Sequence, residues 1–447
     1  MNSDFKDITP FYNSHACVEI PGSKSISNRA LILAVLSKGT VKLNGILDSE
    51  DVGIMIAALQ QLGVVIEVDK PNNTALVNGC GGVLSIKKAT IDVGNAGTVA
   101  RFLTALLSLQ NGGDYTLDGS EAMRIRPMAG LLDALKDHGS KFTFHGAENC
   151  FPFTIKTSSL NNNDWIINAS KSSQIVSAIL LIAPLIKGTK KIFLNGETVS
   201  KPFVKMTLDM IGQFSLSSTV GITEDGRTFE VPHFNYEMKS MEYNIEPDAT
   251  AASYFFSLPI SVGGSILVKG LQNCKLQGDI GFCEIISKCG LSVHRSTNGI
   301  QVDLKDEILG GDYNFNDISD TFLTLAALSP LLGTPLRISG IAHTRMQETD
   351  RVGAMATELR KLGQDVYELD DSLQINPTAD LNKFRDRLPL PIETYDDHRF
   401  AMSFAILGSH DLFKNGIPWI RILDPFCCQK TFPKFFQVLS NIQSESI

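Results

Sequence analysis

Clusters of small polar residues at the start of apolar, helix-like runs are the feature that most constrains this chain of 447 residues. Six such openings also hold most of the charged residues suited to chemistry. They span residues 22–25, 94–98, 170–174, 246–250, 317–321 and 395–399. Ser, Asn and Asp accept hydrogen bonds from the unpaired N–H groups of a helix N-terminus, and an uncovered N-terminus attracts anions. Six such ends, pointed at one place by the fold, would form an anion site.

A longer repeat surrounds each opening. Every run ends near a glycine and is followed by a short alternating strand and a turn. These strands fall at residues 39–45, 113–119, 188–196, 264–270, 333–340 and, more loosely, 416–425. An amphipathic helix comes next, and it often closes on Leu-Gly, as at residues 62–63 and 362–363. Self-similarity with a period of about 70–80 residues indicates a fold built by repetition. We therefore predict an α/β protein of two similar domains, each made of three repeated α/β units.

The grouping of the repeats sets the expected domain boundaries. Residues 21–245 hold the first three units and form the first domain, and residues 246–447 hold the last three and form the second. Residues 1–20 are left over and are expected to complete the second domain, with the hinge and a cleft between the two domains. A chain of this length exceeds what one core usually supports, which also favours two domains.

Composition favours a soluble, cytoplasmic enzyme. The net charge of -8 argues against a nucleic-acid surface, for which a basic patch would be the footprint. The first residues carry two acids and no apolar signal-peptide core, and no run approaches ~18 apolar residues. The eight cysteines lack the paired spacing of a zinc site, so reduced thiols are expected.

The first opening places Lys24 and Ser25 at a helix start, with Arg29 one turn further along the same face. These three residues would face a single anion, although a solvated basic helix end explains the segment equally well. The Gly-x-x-x-x-Gly-Lys spacing of a phosphate-binding loop is absent, which argues against a nucleotide kinase.

The next openings add donors of the same kind. Gly97 would let the backbone approach a ligand closely because it has no Cβ, or would simply form a tight turn. Arg124 and Arg126 precede a proline and suit bidentate binding of carboxylate or phosphate. Ser172 and Ser173 are candidate phosphate donors, since a plain helix cap needs only one serine. Each signal is weak alone, but together the basic residues and the carboxylates between them suit closure around polyanionic substrates.

Eight ordered motifs along essentially the whole chain resemble the 5-enolpyruvylshikimate-3-phosphate synthase family. They are residues 21–30, 94–98, 124–127, 172–174, 199–202, 348–351, 397–399 and 430–433. The resemblance implies an enolpyruvyl transferase-like inside-out α/β barrel in each domain. It also implies transfer of the enolpyruvyl group of phosphoenolpyruvate to the 5-hydroxyl of shikimate 3-phosphate, releasing phosphate, in the pathway to chorismate and aromatic amino acids. No metal or organic cofactor, a monomer, and glyphosate binding at the phosphoenolpyruvate site are further implications.

The resemblance carries roles onto matching residues. Those expected to hold phosphoenolpyruvate are Lys24, Asn95, Gly97, Arg126, Gln174, Arg351, Arg399 and Lys430. Those expected to hold shikimate 3-phosphate are Lys24, Ser25, Arg29, Ser172, Ser173, Gln174, Ser200, Asp320, His343 and Gln347. Asp320 is the candidate base for the hydroxyl, and Glu348 with Lys24 are candidates for proton exchange at the enol carbon.

Three positions depart from the usual family pattern. Gln347 stands where many relatives have lysine, while His343 and Phe203 replace a more usual Asn and Tyr. Loss of a charge-assisted hydrogen bond at position 347 would weaken shikimate 3-phosphate binding by roughly 1.5–3 kcal/mol, unless Lys171 or Lys201 compensates. The alternative functions are an enolpyruvyl transferase for another acceptor, such as a UDP-sugar, and a non-catalytic anion-binding paralogue.

Overall fold

The computed structural model describes residues 4–170, 172–196, 199–216, 218–305, 307–378 and 387–445. Lys171, named above as a compensating residue, lies outside these ranges. The chain forms two compact units, Gly22–Glu246 and Met1–Pro21 with Pro247–Ile447. We call these the first and the second domain.

The strands of the described residues are β1 Phe5–Asp7, β2 Ser14–Glu19, β3 Lys38–Asn44, β4 Ile66–Asp69, β5 Thr74–Cys80, β6 Lys88–Asp92, β7 Asn111–Asp118, β8 Lys141–Phe144, β9 Phe153–Ser158, β10 Trp165–Asn168, β11 Lys190–Asn195, β12 Gly221–Ile222, β13 Thr228–Val231, β14 Glu242–Asn244, β15 Gly264–Lys269, β16 Leu291–Ser296, β17 Gly299–Leu304, β18 Gly311–Asn314, β19 Leu336–Ser339, β20 Asp365–Glu368, β21 Ser372–Asn376, β22 Leu390–Ile392 and β23 Ile420–Leu423.

The α-helices in the same part of the chain are α1 Lys24–Leu36, α2 Glu50–Gln61, α3 Gly97–Ser108, α4 Glu121–Ile125, α5 Ala129–Asp137, α6 Ser173–Ile182, α7 Lys201–Gln213, α8 Ala249–Val262, α9 Phe282–Lys288, α10 Phe322–Ala327, α11 Arg351–Lys361, α12 His398–Gly408 and α13 Phe435–Glu445. None of these helices combines the length and the apolar character that crossing a membrane requires.

Six small sheets repeat one pairing scheme over the described residues. The central strands are β3, β7 and β11 in the first domain and β15, β19 and β23 in the second. Each pairs in parallel on one side and antiparallel on the other, as β3 does with β14 and β5. Strand β2, from the N-terminal segment, is the parallel partner of β15, with Ser14 opposite Gly264 and Glu19 opposite Lys269. The α/β repeats predicted from the glycine-strand pattern are therefore present.

The six runs with polar openings form the first helix of each repeat. In the first domain α1, α3 and α6 pack on one another, and in the second α8, α10 and α12 do the same. Every residue of α3 and α12 is buried, which explains why these runs are apolar on all faces. The second helices, such as α5 and α13, are amphipathic because they cover the sheets from the solvent side.

One side chain shows that the helix N-termini of the first domain share a side. Arg29 of α1 donates from Nη2 to Ser177 Oγ of α6 at 3.1 Å, and its guanidinium lies 5.2 Å from the ring centroid of Phe102 in α3. Each of these residues is the fifth or sixth of its helix. The three helices therefore begin at the same level, and their partial positive charges add at one end of the domain.

The second domain repeats this arrangement. Ser253 of α8 and Thr324 of α10 are joined through their hydroxyls at 3.0 Å. Arg399, the second residue of α12, binds Asp320, which lies two residues before α10. The first turns of the three helices again lie together.

The buried ammonium of Lys190 closes the C-terminal end of α6. It donates to the carbonyls of Ala183 at 3.0 Å, Ile186 at 2.8 Å and Gly188 at 2.8 Å. These carbonyls lie just beyond the α-helix, and that of Ala183 also accepts from the backbone N–H of Ile186 at 3.1 Å. Lys190 thus adds donors at a helix end where the regular helical hydrogen bonds have stopped.

We expect Lys190→Met to lower the free energy of unfolding by roughly 1–3 kcal/mol, because buried carbonyls would lose their donor. Urea denaturation followed by circular dichroism measures this change. The matched control is Lys191→Met, at an exposed position on the same strand. Equal midpoints for the two variants would contradict this role for Lys190.

Candidate functional site

The predicted site residues divide between the two domains. The first domain holds Lys24, Ser25, Arg29, Asn95, Gly97, Arg126, Ser172, Ser173, Gln174 and Ser200. The second domain holds Asp320, His343, Gln347, Glu348, Arg351, Arg399 and Lys430.

Lys24, the first residue of α1, pairs with a carboxylate that the sequence did not single out. Its Nζ lies 3.1 Å from Asp51 Oδ2, and the Asp51 side chain is only 3% exposed. Asp51 lies in the first turn of α2, where an acid is also favoured by the helix dipole. The contact fixes an ammonium group at the N-terminus of α1. Asp51 was missed because Ser49-Glu50-Asp51 has the ordinary pattern of a helix start.

Arg29 is buried, and no carboxylate of the described residues pairs with it. Its nitrogens donate to Thr207 Oγ1, Ser177 Oγ and the carbonyls of Ser25 and Phe203 at 2.8–3.3 Å. Burial lowers the pKa of Arg29 to about 9, which leaves it protonated at neutral pH. A guanidinium has five N–H donors, so these four bonds leave one for a ligand. A buried cation held only by neutral groups favours an anion nearby. Phe203, which replaces the more usual Tyr, also lies with its ring 5.9 Å from Arg29.

Arg126 and Gly97 lie against each other. A Cβ on Gly97 would lie 2.9 Å from Arg126 Nη2 and 3.0 Å from Arg101 Nη1, so a side chain here would push the guanidiniums from their present positions. Arg126 is 7% exposed, and its Nε and Nη1 have no hydrogen-bond partner among the described residues. Arg124 behaves differently, because it is exposed and forms a two-pronged pair with Asp118 at 2.9 and 2.6 Å. Only the second guanidinium of the Arg-Ile-Arg-Pro motif is therefore available to a ligand.

The start of α6 carries the serine pair. Ser172 is the cap, and its Oγ accepts from the backbone N–H of Gln174 at 3.2 Å. Ser173 is buried and is the first residue of α6, so Ser172 alone acts as the cap. Ser200, just before α7, has a left-handed backbone with a φ of 51°, a conformation that non-glycine residues seldom adopt outside functional or strained sites.

Arg351 is the centre of the group of predicted site residues in the second domain. It is 1% exposed and donates to Asp397 Oδ2 at 2.7 Å, Asp320 Oδ1 at 3.0 Å and Glu348 Oε2 at 2.9 Å. Gln347 Oε1 accepts a further, short hydrogen bond from Arg351 Nη1. Burial opposes the charge, but the carboxylates of Asp397 and Glu348 outweigh it and raise the pKa of Arg351 above its usual value.

Asp320 lies between two arginines. Its Oδ2 accepts from Arg399 Nη2 at 2.7 Å while its Oδ1 accepts from Arg351. Arg399 is buried, and its Nε has no hydrogen-bond partner in the described part of the chain. Lys430 Nζ lies 3.7 Å from Glu348 Oε1, so both candidate acids and the three predicted site cations of this domain belong to one network.

The two departures from the family pattern in this domain are both accommodated. His343 Nε2 and Ser319 Oγ share a hydrogen bond of 2.8 Å, and burial lowers the pKa of His343, so the neutral ring is favoured. A neutral imidazole, like the amide of the usual Asn, can both donate and accept a hydrogen bond. Gln347 is half-buried, and its side-chain oxygen accepts from Arg351. A lysine at this position would have no acceptor atom and would repel the guanidinium.

A further acid in this domain was not predicted. Asp279 is buried in a turn after residue 277, and its Oδ2 forms a short hydrogen bond with Thr250 in the first turn of α8. Its Oδ1 has no hydrogen-bond partner among the described residues. Burial, together with repulsion from Asp320, raises the pKa of Asp279 to about 7. No motif in the sequence marks Asp279, because Thr250 and Asp320 are distant from it in the chain and are brought to it by packing.

The family model described as EPSP synthase (3-phosphoshikimate 1-carboxyvinyltransferase) matches residues 9–439. The chain belongs to the EPSP synthase family. The 3-phosphoshikimate 1-carboxyvinyltransferase of Opitutus terrae is 43% identical over 449 residues, which cover 99% of each chain. The protein of that name from Shewanella sp. strain ANA-3 is 38% identical and covers 96% of each chain. The predicted family and enzyme class are confirmed.

Solved structures support the fold. The EPSP synthase of Acinetobacter baumannii aligns with a TM-score of 0.75 at 23% identity, covering 98% of this chain and 97% of its own. The enolpyruvyl transferase NikO of Streptomyces tendae aligns with a TM-score of 0.72 at 14% identity, with the same coverage. The predicted enolpyruvyl transferase-like fold is thereby confirmed.

Asp279 makes stability depend on pH. Its pKa in the folded chain is raised, so the stability linked to its protonated form is present below its unfolded pKa near 4 and is lost as pH rises through about 7. We expect Asp279→Asn to remove this loss and to be more stable than the wild type at pH 8, by on the order of 1–3 kcal/mol.

Urea denaturation at pH 5 and pH 8 measures the effect. The control is Asp317→Asn, at an exposed position of the same domain, which should follow the wild type. A pH dependence that is the same in the wild type and Asp279→Asn would refute a buried, neutral Asp279.

Proposed function

We propose that this chain transfers the enolpyruvyl group of phosphoenolpyruvate to the 5-hydroxyl of shikimate 3-phosphate and releases phosphate. Membership of the EPSP synthase family supports the reaction. The observation that carries it is Asp320, a carboxylate held directly between Arg351 and Arg399. By the same resemblance we propose a monomeric enzyme of the cytoplasm.

The charges of the second domain suit an exchange of anions. Arg351, Arg399 and Lys430 are balanced by the carboxylates of Asp320, Glu348 and Asp397. The carboxylate and phosphate of phosphoenolpyruvate would share the guanidiniums that now bind Asp320. Competition for these donors raises the proton affinity of Asp320, which makes it a better base.

The first domain supplies positive charge that carboxylates do not cancel. Arg126 has two unpaired nitrogens, and Arg29 is held by hydroxyls and carbonyls only. Ser173 adds a buried hydroxyl at the start of α6. We assign Arg126 with Lys24 to phosphoenolpyruvate, and Arg29, Ser173 and their neighbours to shikimate 3-phosphate.

The chemistry needs two proton movements in each half-reaction. In the first, Asp320 takes the proton of the 5-hydroxyl as the oxygen attacks C2 of phosphoenolpyruvate, and an acid donates a proton to C3 to give a tetrahedral intermediate. In the second, the group at C3 takes a proton back, and phosphate leaves with the proton that Asp320 had taken, so both groups return to their starting state. Glu348 and Lys24 are the candidates at C3. Lys430 and Asp51 hold these two groups through ion pairs at 3.7 and 3.1 Å.

Phosphate release by the purified protein tests the proposal. Phosphoenolpyruvate is supplied with shikimate 3-phosphate, with UDP-N-acetylglucosamine or with no acceptor. Release only with shikimate 3-phosphate is expected. Release with the UDP-sugar would establish the alternative acceptor. Silence with every acceptor from folded protein would favour either a different acceptor or the non-catalytic paralogue.

Arg126 and Arg124 form a matched pair for the phosphoenolpyruvate assignment. We expect Arg126→Gln to raise the KM for phosphoenolpyruvate about 10- to 100-fold, because a charge-assisted bond contributes about 1.5–3 kcal/mol. Arg124→Gln should change KM less than about threefold, since its exposed pair with Asp118 contributes little. Steady-state kinetics at saturating shikimate 3-phosphate separates them. Equal effects would remove Arg126 from the site.

Gln347 is tested by restoring the usual lysine. Gln347→Lys should lower the KM for shikimate 3-phosphate by up to about tenfold, since an ammonium attracts phosphate more strongly than an amide does. Gln347→Met is the control, because it keeps the length of the side chain without its polar groups. An unchanged KM in Gln347→Lys would show that this chain has no binding deficit.

A further inference from the structure

The segment before α12 has an unusual backbone. Tyr395 and Asp396 are consecutive and both left-handed, each with a φ of 55°. Residues with a Cβ avoid this region unless the surrounding structure holds them there. The segment leads directly into Asp397 and Arg399, which bind Arg351 and Asp320. Whatever holds residues 395 and 396 therefore also sets the position of the arginine in the site.

Glu358 is the group that holds this segment. Its side chain is fully buried, although no step of the proposed reaction uses it. Its Oε1 accepts from the Tyr395 hydroxyl at 2.5 Å and from Lys361 Nζ at 2.7 Å, and its Oε2 accepts from the backbone N–H of Glu393 at 3.3 Å. Two of these three donors belong to the segment before α12.

Helix α11 holds this segment at two points. Arg351 is its first residue and binds Asp397 at 2.7 Å. Glu358 lies seven positions later, about two turns along the same face, and binds residues 393 and 395. The Tyr395 ring also packs on Phe400 of α12, with ring centroids 5.5 Å apart. The left-handed pair is thus enclosed between two fixed contacts of one rigid helix.

We propose that Glu358, acting through Tyr395, is a positioning residue that fixes the start of α12 so that Arg399 can bind phosphoenolpyruvate. That phosphoenolpyruvate is the ligand rests on the proposed function. That Glu358 acts through Tyr395 rests on the geometry alone. Glu358 touches neither substrate nor reacting atoms. Its part is to hold a strained turn in the one conformation that presents Arg399.

Tyr395→Phe is the sharpest test, because it removes one hydroxyl and keeps the ring against Phe400. We expect the KM for phosphoenolpyruvate to rise roughly five- to tenfold, while the KM for shikimate 3-phosphate changes less than about twofold. Glu358→Gln should act in the same direction. Lys361→Met is the control, since Lys361 is half exposed and reaches the same carboxylate from outside the segment. A purely structural role would lower the unfolding midpoint and leave both KM values unchanged, which would overturn the inference.

Amide hydrogen exchange tests the positioning role of Glu358 independently of the transferase assay. Residues 393–400 should exchange at least about tenfold faster in Tyr395→Phe than in the wild type, with the other helices unchanged. Unchanged exchange in this segment would overturn the inference even in an active enzyme. An inactive wild type whose variant shows faster local exchange would refute the proposed function and leave the positioning role standing.

Discussion

The burial of guanidinium groups within helix packing is the constraint on which both domains depend. A buried cation is costly unless its donors are satisfied, and the two domains satisfy theirs in different ways. Arg29 of the first domain is held by hydroxyls and carbonyls, so its charge is solvated but not cancelled. Arg351 of the second domain is surrounded by carboxylates. The first domain is therefore prepared to receive anions, while the second must exchange its own carboxylates for those of a ligand.

The repeated architecture explains why such groups collect. Each α/β unit contributes one buried helix, and packing three of them at the same level places three N-termini on one side of each domain. The unpaired N–H groups and partial positive charges there favour anions before any lysine or arginine is added. Buried side chains such as Arg29 then have a second role, because they also connect the helices that create the site.

Features that depend on neighbouring residues could be predicted from the sequence. Glycine spacing and polar openings located the six repeats, since turns and helix starts depend on neighbouring residues. Partners chosen by tertiary packing could not be predicted. Arg124 and Arg126 are two residues apart and look alike in sequence, yet one pairs with Asp118 at the surface and the other is buried beside Gly97. The same limit hid Asp279 and Glu358, whose neighbours come from distant segments.

The departure at position 347 shows how one substitution changes the demands on the rest of the site. Arg351 has five N–H donors, and Gln347 provides the acceptor for one of them. A lysine there would leave that donor to a ligand and add a positive charge to a network that is otherwise balanced. With Gln347, Arg351 is fully satisfied without a ligand, and the network around it has no surplus charge to attract one. The attraction for two polyanionic substrates must then come mainly from cations that no carboxylate balances, and in the described residues Arg29 and Arg126 of the first domain are of this kind.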